Sequence, residues 1–345
     1  MTALKILLIP FSIIYSSIIF IRNKLYDLKI FKTHKISKPV ISIGNISTGG
    51  TGKTPLTIFA AKYYLQNNFT VGIVSRGYKR KSNMTVIVCD GNIINTNIED
   101  SGDELILISE ELIKENRNKF FIAAGSDRIK SSELLIEKFD PDIIILDDGF
   151  QNRRIYRDLD IVILDSVDYF QNMLANLFTL PTGNLRETFN GLKRADLIIQ
   201  NNKSDTPGII HGLLKYNKEI IQMRYKTEYF MDNKNSILPK QKTEAIAFSG
   251  IANNHSFYKM IEDSGINIID KIKFPDHHNY TSEDIALLKN KYKKGSVFIT
   301  TEKDFLKLKN HKTLVTDYPV YYLKLNIEMG NDSSLFFKKL DEVVN

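Results

Sequence analysis

Apolar and polar positions along the chain fall into short blocks that read alternately as strands and helices. Residues 6–21 form the first block, sixteen positions without a charge. As a helix they would reach roughly 24 Å at about 1.5 Å per residue, short of the roughly 30 Å hydrocarbon core of a bilayer, and Pro10 shortens the usable helix further. Val40–Gly44 is a short apolar strand, followed after a glycine-rich loop by a helical pattern over 56–65. Val71–Ser75 and Phe120–Ala124 read as further strands; between them a helix over 105–115 opens with Ser101, Gly102, Asp103 and Glu104, acids being favoured in a first turn. Residues 143–146 are a buried-type strand that runs into Asp147 and Asp148. Later come a strand and turn over 245–251, another strand before Phe274, a helix whose start has capping-box spacing (Thr281 to Asp284), and a strand over 297–300.

Strands alternating with helices predict an α/β fold: a mostly parallel sheet with helices on both faces. The expected organisation is an N-terminal apolar helix and basic segment over 1–36, a core over 37–225, and a smaller C-terminal α/β unit over 226–345. Residues 226–243, polar and strand-poor, are expected to form a hinge.

Charge sharpens the reading of the N-terminus. Residues 22–38 hold six basic side chains and one acidic, a net charge of +5, directly after the apolar block. An apolar segment followed by a basic, aromatic-bearing stretch suits insertion at an anionic lipid surface. A signal peptide would carry its basic residues on the other side and a small-residue cleavage site; a buried helix docked on its own domain is the plainer alternative. The whole chain has a net charge of +7, which points to an anionic partner without naming it. Its single cysteine excludes a disulfide framework and a thiolate metal site, so exposure to the cytosol is the default. Dispersed basic residues and the absence of a stacking motif argue against nucleic acid, and nothing in the pattern calls for an obligate protein partner.

The strongest local signal is the run Ser47, Thr48, Gly49, Gly50, Thr51, Gly52, Lys53, Thr54 between a strand and a helix. That context is what a P-loop requires: glycines let backbone amides converge on phosphate oxygens, and the helix N-terminus adds partial positive charge. Lys53 would reach the β- and γ-phosphates and Thr54 would ligate Mg²⁺. Ser47 stands where the usual pattern has its first glycine, and the inner Gly49–Gly50 pair replaces it. Asp147 and Asp148, at the carboxyl end of a strand, can complete the Mg²⁺ site. A P-loop NTPase-like fold binding ATP or GTP follows, without separating a kinase from a switch. Other polar clusters share the placement after apolar strands: Arg76 and its neighbours, Ser126 to Arg128, Gln151 to Arg154, Arg186–Glu187, and Asp276 to His278. Adjacent histidines in a loop diverge, so a two-histidine metal site is disfavoured. A histidine oriented by Asp276 or Asp103 could instead help position or accept a proton.

These landmarks together resemble the tetraacyldisaccharide 4′-kinases, the lipid A 4′-kinases. The matching stretches are 43–55, Ser75-Arg-Gly-Tyr78, Gly102-Asp-Glu104, Asp147-Asp-Gly-Phe-Gln-Asn-Arg-Arg154, Leu180-Pro-Thr-Gly-Asn-Leu-Arg-Glu187, Phe274-Pro-Asp-His277 and Thr300-Thr-Glu-Lys-Asp304. They occur in family order, and the apolar N-terminal helix matches too. Asn152 and Asn184 depart from the family pattern. The resemblance implies phosphorylation by ATP, with Mg²⁺, of the 4′-hydroxyl of tetraacyldisaccharide 1-phosphate at the cytoplasmic face of a bacterial inner membrane. It implies Asp103 as catalytic base with His277 as partner, Asp147 and Asp148 at the Mg²⁺ site, and Arg76, Glu104, Arg128, Gln151, Arg186 and Glu187 around the substrate. Because Asp103 and His277 fall in different expected domains, closure on nucleotide or substrate is expected. Two other readings compete: a membrane-associated nucleotide switch resembling partitioning or metal-insertion ATPases, which usually have lysine where this chain has Thr48, and a kinase for a soluble metabolite.

Overall fold

A computed structural model of the chain describes residues 3–345 except 79, 82–83, 116, 174, 204–208, 240–242, 252, 309–310 and 331. Two compact units result: residues 1–224 with 329–345, and residues 225–328.

The first unit opens with α1 (Ala3–Leu7) and α2 (Ile9–Asp27), then β1 (Val40–Gly44), α3 (Lys53–Gln66), β2 (Val71–Ser75), β3 (Val86–Cys89), α4 (Ile98–Ser101), α5 (Asp103–Ile113), β4 (Phe120–Ala124) and α6 (Arg128–Phe139). It continues with β5 (Ile143–Asp147), β6 (Leu159–Asp165), α7 (Ser166–Gln171), β7 (Leu197–Asn201) and the start of β8 (Glu219–Met231). Its strands lie in the order β8-β7-β6-β1-β5-β2-β4-β3, parallel except for the pair of β3 with β4. Every residue of β1, β2 and β5 is buried, as a parallel sheet covered on both faces requires. β1 lies between β5 and β6, so the glycine-rich loop after β1 and the acids at the end of β5 leave the same sheet edge side by side.

The second unit contains β9 (Glu244–Ser249), α8 (Asn254–Asp263), β10 (Asn267–Lys273), α9 (Ser282–Lys291), β11 (Val297–Thr301), α10 (Glu302–Leu308), α11 (Lys312–Asp317) and most of β12 (Val320–Met329). Its parallel strands run β10-β9-β11-β12. Alternate residues face two cores: Ile246, Phe248 and Phe298 pack with Ile285 and Leu288 of α9, and Ala245, Ala247 and Ile299 with Phe257 and Ile261 of α8. The capping box expected at Thr281 and Asp284 is present.

Two boundary expectations need correction. The first part of the segment 226–243 is strand: β8 runs through to Met231, and its charged residues alternate with Met223, Tyr225 and Tyr229, a period of two that a polar composition conceals. Nor does the C-terminal unit reach residue 345. The chain returns to the first unit at Met329, and α12 (Ser333–Val344) packs on α3. Phe336 and Phe337 lie 5.8 and 5.9 Å from Phe59, the Tyr63 hydroxyl donates to Asp341 at 2.7 Å, and that of buried Tyr64 donates to the Leu340 carbonyl at 2.6 Å. Tyr64→Phe removes this second bond to a carbonyl of the helix and is expected to cost about 1 kcal/mol, read as a lower urea midpoint with faster amide exchange in α12.

α2 docks in an unusual sense. The residues turned toward the unit, Ile9, Ser12, Tyr15, Ser16, Ile19, Arg22, Asn23, Leu25 and Tyr26, follow helical spacing, and most of them carry a polar group. Phe11, Ile13, Ile14, Ile18, Phe20 and Ile21 are exposed. Ser12, the only buried residue of the helix, donates to the Thr179 carbonyl and accepts from the Thr182 amide, both at 2.9 Å. The alternative of an apolar helix buried in its own domain is therefore overturned, because the apolar side is the one left uncovered. Among the described residues no helix is long and apolar enough to cross a membrane.

Candidate active site

The loop after β1 is shaped as an open cradle. Gly49 and Gly52 take φ of +97° and +106°, and a Cβ built on Gly49 or Gly50 would meet nothing within 4 Å. Buried Asn45 donates to the Thr51 hydroxyl at 3.0 Å, fixing the loop from inside. α3 starts at Lys53 directly after Gly52, so the first amides of a fourteen-residue helix face the cradle. On its other side the loop is held by the turn 180–187: the Thr48 amide donates to the Asn184 carbonyl and the Arg186 amide to the Ile46 carbonyl, each at 2.8 Å.

That turn brings Arg186 to the acids. Its Nη1 donates to both carboxylate oxygens of Asp148 at 2.8 and 2.7 Å, and the Lys53 ammonium stands 3.7 Å from Asp148 Oδ1. Burial opposes the charge on Asp148, but Lys53 and Arg186 outweigh it and hold the carboxyl below the usual range. Asp147 behaves in the opposite way. It is fully buried; the Thr57 hydroxyl donates to Oδ1 at 3.1 Å, and Oδ2 has no partner. Burial, then the charges of Glu104 and Asp148, push its carboxyl up to about 7. A buried acid with a spare oxygen, bonded to Thr57 one turn after Thr54 at the end of the strand beside β1, has the chemistry of a Mg²⁺ ligand; the residues fit the ion and the nucleotide.

Asp103 is buried at the first position of α5. Two glycines put it there. Gly77 and Gly102 have φ of +72° and +89°, and a Cβ on Gly77 would lie 2.5 Å from the Ser101 carbonyl oxygen, one on Gly102 2.9 Å from that of Tyr78. The Ser75–Tyr78 and Gly102–Glu104 motifs therefore interlock by close backbone approach, and Glu104 comes near enough to Asp147 to raise its pKa. Arg128, buried at the start of α6, donates from Nη1 to the Gly125 carbonyl at 2.6 Å and leaves Nε without a partner. Burial lowers its pKa to about 10, against the attraction of Asp148 and Asp147 and with the repulsion of Arg76 and Arg80. Lys53, Glu104, Arg128, Asp147, Asp148 and Arg186 thus form one electrostatic cluster, with Arg76 beside Arg128.

Gln151 and Glu187 sit one layer back. Gln151 donates to the Asn45 carbonyl at 2.7 Å and to Glu187 at 2.9 Å; Glu187, buried, also accepts from Arg194 at 2.7 Å and Asn23 of α2 at 3.3 Å. His277 belongs to the second unit, in the loop after β10, with φ of +59°.

A model of the family described as Tetraacyldisaccharide-1-P 4′-kinase matches residues 4–345. The chain belongs to this family. A tetraacyldisaccharide 4′-kinase of Chlorobium chlorochromatii is 33% identical over 353 residues, covering 97% of this chain and 92% of the relative. One from Aquifex aeolicus is 34% identical over 339 residues, covering 96% of each. A crystal structure of the Aquifex aeolicus protein in complex with ATP matches with a TM-score of 0.77 at 32% identity, over 99% of both chains. In this member of the tetraacyldisaccharide 4′-kinases, three site residues escape the motif pattern. Thr57 is one turn beyond Thr54 on the same helix face, a spacing that could have pointed to it. Asn201, at the end of β7, donates to the Thr51 carbonyl at 2.9 Å. Arg80 donates from Nη1 to the Ala124 carbonyl at 3.2 Å and leaves Nη2 buried without a partner.

Proposed function

We propose that the chain transfers the γ-phosphoryl group of ATP to the 4′-hydroxyl of tetraacyldisaccharide 1-phosphate, giving the 1,4′-bisphosphate of lipid A synthesis. The observation that carries this reading, within the family, is the open cradle beside the β5 acids, with Lys53 3.7 Å from Asp148. Phosphoryl transfer asks mainly for alignment and charge neutralisation. The loop amides and Lys53 grip the β- and γ-phosphates. Thr54, Asp147 and Asp148 are the residues to hold Mg²⁺, which when bound neutralises charge on those phosphates. Arg186 holds Asp148 in place and, with Arg76 and Arg128, supplies positive charge for the substrate's own phosphate. Asp103 orients and accepts the proton of the attacking hydroxyl, with His277 as its partner; Glu104, Gln151 and Glu187 shape the surroundings.

The acceptor's acyl chains stay in lipid, and the outward apolar face of α2, followed by a basic stretch, lies on the anionic surface of the cytoplasmic leaflet. Six exposed large apolar side chains on one helix are costly in water and favourable at an interface. Ile14→Asp with Ile18→Asp, at positions 57% and 59% exposed, is expected to weaken sedimentation with anionic vesicles at least tenfold while leaving the thermal midpoint within about 2 °C. The reaction itself is tested with labelled ATP and purified tetraacyldisaccharide 1-phosphate in mixed micelles. Label should appear in the lipid; hydrolysis without lipid labelling would favour a nucleotide switch.

A further inference from the structure

The second unit holds a buried acid to which the reading above gives no task. From β9 the chain passes to β10 on one side and then crosses to β11 on the other, so the strand order reverses between β9 and β11. The crevice beyond the carboxyl ends of two such strands is where open parallel sheets receive ligands. Here a side chain of the protein occupies it. Asp304 is fully buried, and its Oδ2 accepts from the Gly250 amide at 2.9 Å, just after β9, and from the Thr301 hydroxyl at 2.7 Å, at the end of β11.

Gly250 passes that anchorage on. Its carbonyl accepts from the His277 amide at 3.0 Å. A Cβ at Gly250 would come within 3.1 Å of Asp304 Oδ1, His278 Cβ and the Pro275 carbonyl oxygen, so the acid, the end of β9 and the loop over 275–278 close on one another around a residue without a side chain. His277 itself is held at φ of +59°, a left-handed conformation that a residue with a Cβ keeps only where its surroundings impose it. The next residue fixes the far side of the loop: His278 Nε2 lies 2.7 Å from Asp284 Oδ2 and its ring stacks on Phe274 at 4.9 Å. Burial pushes the Asp304 carboxyl up, a cost that an apolar filling of the same crevice would avoid.

We propose that Asp304 is a positioning residue for His277, acting through the Gly250 peptide to set the strained backbone from which the imidazole projects. The proposal rests on the reading of His277 as the partner of Asp103, and the experiment separates the two. Steady-state kinetics in mixed micelles are compared for the wild type, His277→Ala, Asp304→Ala, Asp304→Asn and the His277→Ala/Asp304→Ala double variant. His277→Ala should lower kcat about 10²-fold. Asp304→Ala should lower kcat at least about tenfold with the KM for ATP within about twofold, a split characteristic of lost transition-state alignment. Asp304→Asn should recover most of that loss, because its amide oxygen can accept the same two bonds. The double variant should be no slower than His277→Ala alone. Should Asp304→Ala fail to fold, Thr301→Val, which removes one tether of the acid, carries the same cycle: a several-fold loss of kcat that vanishes in the His277→Ala background. Full turnover in His277→Ala overturns the role of His277 on which the proposal stands. With His277→Ala impaired, losses that multiply in the double variant, or an Asp304→Ala enzyme of undiminished kcat, overturn the positioning role of Asp304.

Discussion

Replacing Asp103 by alanine is expected to lower turnover by about 10²-fold or more while ATP affinity changes by no more than a few fold. The asymmetry follows from placement. In the proposed mechanism nucleotide is gripped by the loop after β1, by Lys53 and by the acids at the end of β5, a set that does not include Asp103. Asp103 instead stands at the first position of α5, held there by the close approach of Gly77 and Gly102. In that mechanism truncation removes the proton acceptor and keeps every residue assigned to the cradle. Because the side chain is buried, Asp103→Asn is the better-matched companion variant; it keeps volume and hydrogen-bonding capacity but cannot take the proton. Both variants should fall together in kcat, with fluorescent-nucleotide binding close to wild type. If Asp103→Asn keeps full turnover while Asp103→Ala does not, the carboxylate is structural and the general-base role is wrong.

The parts of this site that could be read in advance are those written within a dozen consecutive residues. The run 47–54 declares itself because glycine, lysine and threonine have local jobs at a strand-to-helix junction. Asp147 and Asp148 do so because an apolar run ends on them. What stayed hidden depends on side chains brought together from a distance. Asn201 reaches the loop only because β7 lies beside β6, and Arg80 is held near Arg128 by bonds to the Met84 carbonyl and to the end of β4. Composition misled twice. Charged residues alternating along β8 resemble a linker until their period is counted, and the return of α12 to α3 is decided by Phe59, Tyr63 and Tyr64, some 280 positions away from the residues they bind. In α2 the orientation is one no hydrophobicity pattern announces: Ser12 and Tyr15 bond to the segment 179–186, while Ile13, Ile14, Ile18 and Ile21 are left exposed.

The opposite behaviour of the two neighbouring acids yields the other large effect. In metal-free protein Asp147 is pushed up to about 7 by burial and by Glu104 and Asp148, from an ordinary value of 3.8. Between those limits the native state keeps a proton that the unfolded chain has released, so stability falls as pH rises across this window and stays low above it. Each pH unit of that interval is worth about 1.4 kcal/mol, so the carboxyl opposes folding by a few kcal/mol at pH 8. Asp147→Asn cannot ionise, and its amide oxygen can still accept from Thr57. In EDTA it should therefore be more stable than wild type at pH 8, by on the order of 2–4 kcal/mol, and indistinguishable near pH 4, as read by urea denaturation at both values. Activity moves the other way: loss of a Mg²⁺ ligand should cost about 10³-fold in turnover, and Mg²⁺ with ATP should stabilise wild type but not the variant. A variant that is both more stable without metal and inactive with it identifies a carboxylate whose burial makes sense only beside a cation. A variant with unchanged stability at pH 8 and unchanged response to Mg²⁺ would place the ion on other residues, with Asp148 the first to examine because Lys53 and Arg186 hold its carboxyl below the usual range.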